Sequence, residues 1–554
     1  MVADGVDQTH EQGMDMASLL DQIAALESSN DGGEEFTGSG DDSIGRPKNE
    51  LSCHLVDHDW EAVAVLLGDD ACKDAKIPET HGRELGMIPL HYACREGAPP
   101  NIIKILLEKY PQGVMARTEE TGRIPLHFVS GGREVSLDKD DSMSFDAEAC
   151  NKNNVSSDNT LNRVEAAKLL LAASPDSIRI TDQDGGLYPL HIACLEEASP
   201  ELLDVFLDAD PGIASLPDEE GNIPLHWVFH PQVSVSSVQR LLQLFPDGPT
   251  MTNNEGMLPL HRACAVGAKA DAIHLLLSRY PYGAHIKDKV NGNLPIHLIL
   301  PITARGGICQ QDRDLDLVNR TEILNELITI FPDGTGIKNN SGETVVHRAC
   351  SGEAPLEFVR KLLDAFPSIV KTKGKSSEMT LLHLACTYHS PTSVVRALLD
   401  ANSQQAECMA SEGVGGAHLP LHAACRTGAS IDVIKALLES YPAGAATTDG
   451  HDNRLPLHLE CLTRCETEVV RLLLDADKSG AEKIDVKGRT ALHYAFASHA
   501  DQKVLDILIE AFPGAMEIHD GGGCLPDLAL VPVQEEDEED ENGSEKSENE
   551  VNGL

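Results

Sequence analysis

The sequence predicts a mainly α-helical solenoid of about 12–13 repeats, each a pair of antiparallel helices joined to the next by a hairpin-like turn. Three observations predict this fold: a histidine at a nearly fixed interval, a Pro-Leu-His box around most copies of it, and an apolar stripe after it. Eight of the ten intervals are 35 to 39 residues long, which is typical of an array whose units pack only against their neighbours. The recurring histidines are His91, His127, His191, His226, His261, His297, His347, His383, His422, His458 and His493.

The first helix of each unit is expected to be short. In the stretch "GMIPLHYACREGAPP", Pro89 can occupy the first turn of a helix, where its missing N–H group removes no hydrogen bond. Gly97 and the prolines behind it then end the helix. The box therefore predicts a short helix that begins at its proline.

A second helix follows in each unit. In the unit of His91, Ile102, Ile103, Leu106 and Leu107 have the spacing of one buried helical face. A Tyr-Pro or Phe-Pro pair follows this stripe in seven units, and proline cannot continue a helix. The stripe and the closing pair together predict a second helix that packs against the first.

A polar segment that contains glycine joins one unit to the next, as in "TEETGRIPLH". Glycine recurs in this segment in nine of twelve units from Gly86 to Gly523, and Asn453 replaces it in a tenth. Because Gly and Asn tolerate a positive φ, the pattern predicts a tight turn between units. The two long intervals, of 64 and 50 residues, contain polar insertions near 130–160 and 302–318.

This pattern resembles the ankyrin repeat, whose unit combines a turn, a Thr-Pro-Leu-His-x-Ala box and two antiparallel helices. The resemblance covers roughly 480 of the 554 residues and implies an array over residues 50–532. The threonine of the family remains only at Thr344, Thr380 and Thr490. Elsewhere mostly apolar residues replace it, so apolar packing between units is expected to substitute for the helix cap that threonine would supply.

Seven of the fourteen cysteines lie three residues after a repeat histidine, a pattern that raises the question of a metal site. In the ankyrin family this position holds a small buried residue, and a free cysteine fills the same volume. The resemblance implies that the histidines hydrogen-bond backbone between units. The nearest zinc candidate, "HLECLTRC", adds only Cys465 to a pair that the repeat explains. We therefore expect no metal, no cofactor and no catalytic residue, in line with the absence of nucleotide-binding and nucleophile motifs.

Charge and hydropathy exclude several classes of function. Acidic residues outnumber basic ones 89 to 44, for a net charge of −45, which argues against a broad nucleic-acid surface. No apolar run reaches the roughly 18 residues of a membrane span, and the first residues lack the pattern of a signal peptide. Fourteen cysteines in such a chain predict reduced thiols. We expect a monomer in the cytoplasm or nucleus that binds neither nucleic acid nor membrane.

The two ends differ from the array in composition. Residues 1–49 are rich in Gly, Asp, Ser and Glu and are predicted to be disordered. Within them, residues 16–27 carry an apolar stripe that predicts a short helix, either to bind a partner or to cap the first unit. Residues 533–554 form an acidic tail with seven consecutive acids, whose role is either solubility or interaction.

The resemblance implies that partners bind on the concave side, at the turn tips and at the ends of the first helices. Two functions remain open on the sequence alone. The first is a scaffold or adaptor that binds another protein in this groove, and the second is an acidic binder or chaperone of basic proteins such as histones. Three of the candidate arginines, near the last complete units, are expected to form a local basic strip. The candidate contact residues are Arg95, Arg123, Asn222, Met257, Tyr388, Arg426, Arg454 and Arg489.

Overall fold

The computed structural model separates two compact bodies, Met1–Arg46 and Pro47–Leu554, and the described residues all lie in the second. The predicted helix at 16–27, the tail at 533–554, most of the first insertion and residues 302–309 of the second lie outside the described residues. The described residues are 54, 55, 58, 62, 63, 86–130, 157–230, 234–300, 310–351, 354–371, 379–410 and 417–526.

Within the described residues the fold is mainly α, as predicted, and eleven helix pairs follow one another. In each pair the odd-numbered helix carries the repeat histidine and the even-numbered helix carries the apolar stripe. The only described β contact is an isolated bridge between Ala410 and His418. The helices are α1 (Pro89–Glu96), α2 (Pro100–Lys109), α3 (Pro125–Phe128), α4 (Ser157–Ala173), α5 (Pro189–Leu195), α6 (Pro200–Ala209), α7 (Pro224–Trp227), α8 (Val235–Leu244), α9 (Pro259–Val266), α10 (Ala270–Arg279), α11 (Pro295–Leu298), α12 (Gln310–Ile330), α13 (Val345–Ser351), α14 (Leu356–Ala365), α15 (Leu381–Thr387), α16 (Thr392–Ala401), α17 (Pro420–Thr427), α18 (Ile431–Ser440), α19 (Pro456–Thr463), α20 (Thr467–Ala476), α21 (Ala491–Ala497) and α22 (Gln502–Ala511).

The helices pack in two parallel rows. Each odd-numbered helix contacts the odd-numbered helices before and after it, and the even-numbered helices contact each other in the same way. In seven of the eight described units that lack the threonine of the family, the residue before the box is buried, as at Ile124, Leu294 and Leu455. Tyr188, in the eighth, is half-buried. The described apolar side chains form one continuous core along the array.

The Tyr-Pro or Phe-Pro pair that ends a second helix also leads into the next element of the unit. The chain turns directly into a short 3-10 helix, and proline is the first residue of this element in eight units. Proline suits that place because its fixed φ matches the first turn of a helix. The 3-10 helices are Pro111–Met115, Pro175–Arg179, Pro211–Ser215, Gly248–Thr250, Pro281–His285, Pro332–Gly336, Pro367–Lys371, Ser403–Glu407, Pro442–Ala446, Lys478–Glu482 and Pro513–Glu517.

Three first helices are shorter than the other eight described ones, which have seven or eight residues. Helices α3, α7 and α11 have only four residues each. Two of them are followed by the insertions and then by the two longest helices, α4 with 17 residues and α12 with 21. The Pro-Leu-His box therefore sets where a first helix begins, and the residues after it decide how far it continues.

The extended helices α4 and α12 each carry an Asn-Arg pair that binds the preceding unit. The amide of Asn162 donates to the carbonyl of Gly97 (3.1 Å), and that of Asn319 donates to the carbonyls of Gly267 (3.2 Å) and Ala268 (2.9 Å). Both glycines end a first helix at a positive φ, 68° and 69°. A Cβ on Gly267 would lie 2.4 Å from an Nη atom of Arg320. The glycine is thus required by both the backbone angle and the close approach of the next unit.

We predict that Gly267→Ala lowers the free energy of unfolding by about 2–4 kcal/mol. Roughly 1 kcal/mol of this comes from the positive φ and the rest, about 1–3 kcal/mol, from displaced hydrogen bonds of Asn319 and Arg320. The amide of Ala268, which donates to the carbonyl of Ala263, should exchange faster with solvent. The control is Gly523→Ala, at a φ of 79° with no atom within 4 Å of an added Cβ, where only the backbone cost is expected. Equal losses in the two variants would contradict a role for close approach.

Candidate interaction surface along the turns

The turns that join the units are built on a buried polar residue. In the turn before α5, the N–H of Asp182 donates to the carbonyl of Leu187 (3.0 Å), and Oδ1 of Asp182 accepts from the N–H of Leu187 (2.8 Å). This set of residues was not predicted from the sequence, although each lies eight or nine residues before a repeat histidine or, in the last turn, eight before Leu528. The residues in this role are Thr118, Asp182, Asp218, Asn253, Asp288, Asn339, Asp449, Asp485 and Asp520.

Neighbouring turns are bonded to each other at their tips. The N–H of Gln183 donates to the carbonyl of Thr121 (2.8 Å), and that of Glu219 donates to the carbonyl of Gly185 (3.0 Å). Equivalent bonds recur down the array, including Val486 to Asp452 (2.9 Å). The described tips therefore lie side by side in two runs, one from the turn before α3 to the turn before α13 and one from the turn before α17 to the turn after α22. Their exposed side chains follow one another within each run.

Several candidate contact residues lie beneath this row instead of on it. The Nε atom of Arg123 is 3.2 Å from Oδ2 of Asp182 in the next turn, and their side chains are 5% and 0% exposed. Burial raises the pKa of the Asp182 carboxyl to about 6, although its bond to Leu187 and the nearby Arg123 oppose this shift. The amide of Asn253 donates to Oδ1 of Asn222 at the same place in another pair of units (2.9 Å). These residues join one turn to the next.

The prediction that Arg426, Arg454 and Arg489 form a basic strip is wrong for Arg454 and Arg489. The Nε atom of Arg454 is 3.8 Å from Oδ2 of Asp485, and that of Arg489 is 3.6 Å from Oδ2 of Asp520. Both guanidinium groups also lie over the ring of Tyr494, at 5.4 and 5.8 Å from its centroid. Their charge is balanced within the array because each faces the buried carboxylate of the following turn.

The other candidate contact residues differ in exposure. Met257 is buried. Arg95 is half-buried, and its Nε donates to Oε1 of Glu96 (2.8 Å). Arg426 is half-buried, and Tyr388 is 53% exposed. Arg95, Tyr388 and Arg426 are thus the candidates that solvent reaches best, and all three lie near the ends of first helices, as predicted from the sequence.

Each repeat histidine binds the backbone through Nδ1, and eight of the eleven also bind it through Nε2. In the unit of α7, Nδ1 of His226 accepts from the N–H of Ile223 (3.2 Å), and Nε2 faces the carbonyl of Met257 in the following turn (3.1 Å). All eleven histidines make the first bond, at 3.0 to 3.4 Å. Eight make the second, at 2.9 to 3.2 Å.

These bonds decide the chemistry of the ring. A backbone N–H can only donate and a carbonyl can only accept, so Nδ1 carries no proton and Nε2 carries one. Burial lowers the pKa of His226 to about 4, and the pKa of His191 and His458 likewise. The rings are therefore neutral at pH 7, and in the eight units with both bonds neither nitrogen is available to a metal or a substrate.

The box cysteines are buried small residues. Burial raises the pKa of Cys264, Cys350 and Cys386 to about 12, so these thiols stay protonated and weakly nucleophilic. No described cysteine forms a disulfide. Among the described side chains, no three His, Cys, Asp or Glu residues come together as a metal site would need. None of the described helices has the length and apolar character needed to cross a bilayer.

Comparisons with known proteins agree with this geometry. A model of the ankyrin-repeat family matches residues 418–518 as three copies. Residues 418–518 are ankyrin repeats. Among solved structures, the ankyrin repeat domain of Bcl-3, a member of the IkappaB protein family, has 22% identity and a TM-score of 0.32, and the match covers 39% of this chain and 91% of that one.

A second solved structure is the predatory endopeptidase Bd0816 from Bdellovibrio bacteriovorus in complex with immunity protein Bd3460. It has 17% identity and a TM-score of 0.29, and the match covers 35% of this chain and 92% of that one. No curated protein matched the chain. The ankyrin assignment rests on the family match and on the box geometry, which recurs in all eleven described ankyrin repeats.

We predict that acid destabilises this ankyrin array through its histidines. Unfolded histidines take up protons near pH 6.5, whereas the folded ring of His226 does so only near pH 4. Stability is therefore complete above pH 6.5 and falls as the pH decreases towards 4. The urea midpoint, followed by circular dichroism, should drop between pH 7 and pH 5, and His226→Gln should reduce the slope by up to one proton. His519→Gln, at an exposed residue, should leave the slope unchanged. A midpoint that does not vary with pH would contradict this account.

We also predict that the Arg123–Asp182 pair is strongly coupled. Removing one partner leaves the other buried and unpaired, so Arg123→Met or Asp182→Asn should each cost about 3 kcal/mol. The double variant should cost clearly less than the sum of the two, as a double-mutant cycle in urea would measure. The exposed pair Lys168–Glu165, with an Nζ–Oε1 distance of 2.6 Å, is the control and should couple by less than about 1 kcal/mol. Additive losses at Arg123 and Asp182 would refute the link between the turns.

Proposed function

We propose that this chain is a non-catalytic scaffold or adaptor that binds another protein through its ankyrin array. The proposal rests on the two runs of described turn tips that are held by backbone hydrogen bonds from one turn to the next. A surface whose backbone is ordered before binding loses little entropy when a partner docks. We place its action in the cytoplasm or nucleus, as a monomer, with another protein as the partner and no nucleic acid, membrane or cofactor.

Exposed side chains of contrasting character support this proposal. Val290 and Val486 are exposed at turn tips, and Tyr388 is exposed at the end of a first helix. Exposed apolar and aromatic side chains are enriched in protein interfaces, where tyrosine is a frequent hot spot. We take Tyr388, with the half-buried Arg95 and Arg426, as the core of the contact set. Arg123, Asn222, Met257, Arg454 and Arg489 would then support the surface from beneath.

A second function has its own support, namely an acidic binder or chaperone of basic proteins such as histones. Four consecutive turns, from the one before α3 to the one before α9, carry acidic side chains at their tips. The whole chain has a net charge of −45. A surface of one charge sign attracts partners of the opposite charge. The acidic tip residues are Glu119, Glu120, Asp184, Glu219, Glu220 and Glu255.

The two functions predict different responses to salt. Partners would be captured on the full chain, identified by mass spectrometry and then titrated with purified protein. A scaffold contact through Tyr388 should change little in affinity between about 50 and 300 mM salt, whereas a contact driven by charge should weaken by about tenfold or more. A steep salt dependence with a strongly basic partner would replace the first function by the second.

We predict that Tyr388→Ala weakens partner binding by about tenfold, the loss expected of an interface hot spot. Tyr282→Ala is the matched control because Tyr282 is similarly exposed, 59% against 53%, but follows a second helix and stacks on His285 with 5.0 Å between ring centroids. Isothermal titration with the captured partner would measure both variants. Equal effects, or none at Tyr388, would remove it from the contact surface.

A further inference from the structure

The ankyrin repeats differ in what covers the end of the first helix. In the unit of α1, the guanidinium of Arg163 reaches back from α4, and Nη2 donates to the carbonyl of Arg95 (2.9 Å) while Nη1 donates to that of Val129 (3.3 Å). In the unit of α9, Arg320 of α12 covers the same place, and its Nη1 donates to the carbonyl of Ile299 (2.8 Å). Val129 and Ile299 both lie two residues after a box histidine, so the two arginines act alike.

The unit of α5 has a serine in place of this arginine. Arg163 lies eleven residues before Ser174, and Arg320 eleven before Phe331, each the residue that ends its second helix. Counting back the same distance from Phe245, which ends α8, gives Ser234. The carbonyls equivalent to those of Arg95 and Val129 belong to Leu195 and Val228. The sequence between Val228 and Ser234 contains no arginine or lysine.

A cavity of about 120 Å³ lies at this place. Its lining includes Glu197, Leu203, Val228, His230, Ser234 and Ser237. Nδ1 of His230 is buried with no hydrogen-bond partner among the described residues, and it lies 3.6 Å from Oε1 of Glu197. At the place equivalent to that of Arg163 and Arg320, the cavity is lined by Val228 and by Glu197, which adds a carboxylate.

We propose that this cavity binds the guanidinium group of an arginine side chain supplied by the partner protein. The assignment rests on the proposed function insofar as it requires a protein partner. The negative end of the α5 dipole and the carboxylate of Glu197 favour a cation. The flat, forked guanidinium matches two diverging carbonyl oxygens, as at Arg163, which a lysine ammonium cannot do.

The residue at the positive-φ position supports this assignment. Side chains of the next unit lie within contact distance of Gly97 and Gly267. Glu197 occupies the equivalent position in its unit, at a φ of 57°, and carries a Cβ. The unit that follows it supplies no arginine. A guanidinium from outside would therefore lie away from the Glu197 backbone, towards Val228 and His230, where the cavity is. The space left by the missing arginine is then of the right chemistry for an arginine from another chain.

The test uses the full chain with 13C-labelled histidine and a small probe, N-acetyl-arginine methylamide. We expect the ring signals of His230 to shift in a saturable way, with a dissociation constant of about 1 mM for a ligand of this size. The lysine analogue should bind at least threefold more weakly, and the uncharged citrulline analogue should cause no saturable shift. Absence of saturation with the arginine probe, or equal shifts with citrulline, would overturn the proposal.

Two variants separate the cavity from the rest of the surface. Ser234→Arg should fill the cavity with a side chain of this chain and abolish the saturable shift, whereas Ser234→Ala should retain it. Glu197→Gln, which leaves the packing unchanged, should weaken probe binding at least threefold. It tests the cavity if Ser234→Arg fails to fold. Ser234→Arg should also weaken binding of the captured partner at least tenfold. An unchanged affinity for this partner would overturn the proposal that the partner supplies the arginine. Failure of the proposed function would give a different result: Tyr388→Ala would not change partner affinity, although the probe would still bind.

Discussion

The imidazole ring of each box is the contact on which the array depends. One nitrogen accepts from the backbone N–H at the start of its own first helix, and the other donates to a carbonyl in the following turn. A helix start leaves its first N–H groups without partners, and most units lack the threonine that could satisfy one of them. The histidine supplies that bond and links the unit to the next, so a local requirement and a long-range one are met by the same side chain.

Much of this architecture could be predicted from spacing alone. Pro89, Gly97 and the stripe beginning at Ile102 define their two helices through local preferences that act within a few residues. The extent of α3, α7 and α11 could not be predicted in this way, because the box is the same and the end of the helix depends on the residues after it. The bonds from Asn162 and Arg163 to α1 were also hidden, since an insertion of unknown path separates them from the unit they contact.

The candidate contact surface was predicted less well, for a definable reason. Sequence register places Arg123 and Arg454 at the turns, but it does not say which way their side chains point. Their partners, Asp182 and Asp485, lie 59 and 31 residues later along the chain, and only the stacking of turns brings them together. Asp182 itself could have been found, because polar residues of this kind recur eight or nine residues before the box histidine in eight of the eleven described units. Variation in residue type at a repeat position therefore need not indicate solvent exposure, since here arginine faces aspartate and asparagine faces asparagine.

The direction of the histidine bond gives the array a polarity. In eight of the eleven described boxes the second partner of the ring is a carbonyl in the following turn, and the carbonyl of Cys524 lies beside His493 in the turn after α22. A helix pair is therefore complete only when half of another unit stands behind it. A segment that runs from one turn to the next can be added or lost without leaving an imidazole unsatisfied. This segment is offset by half a unit from the helix pair that the sequence repeat suggests. Lengthening or shortening such an array by exchange at the turns would preserve every ring, whereas exchange between a second helix and its turn would leave one ring without an acceptor.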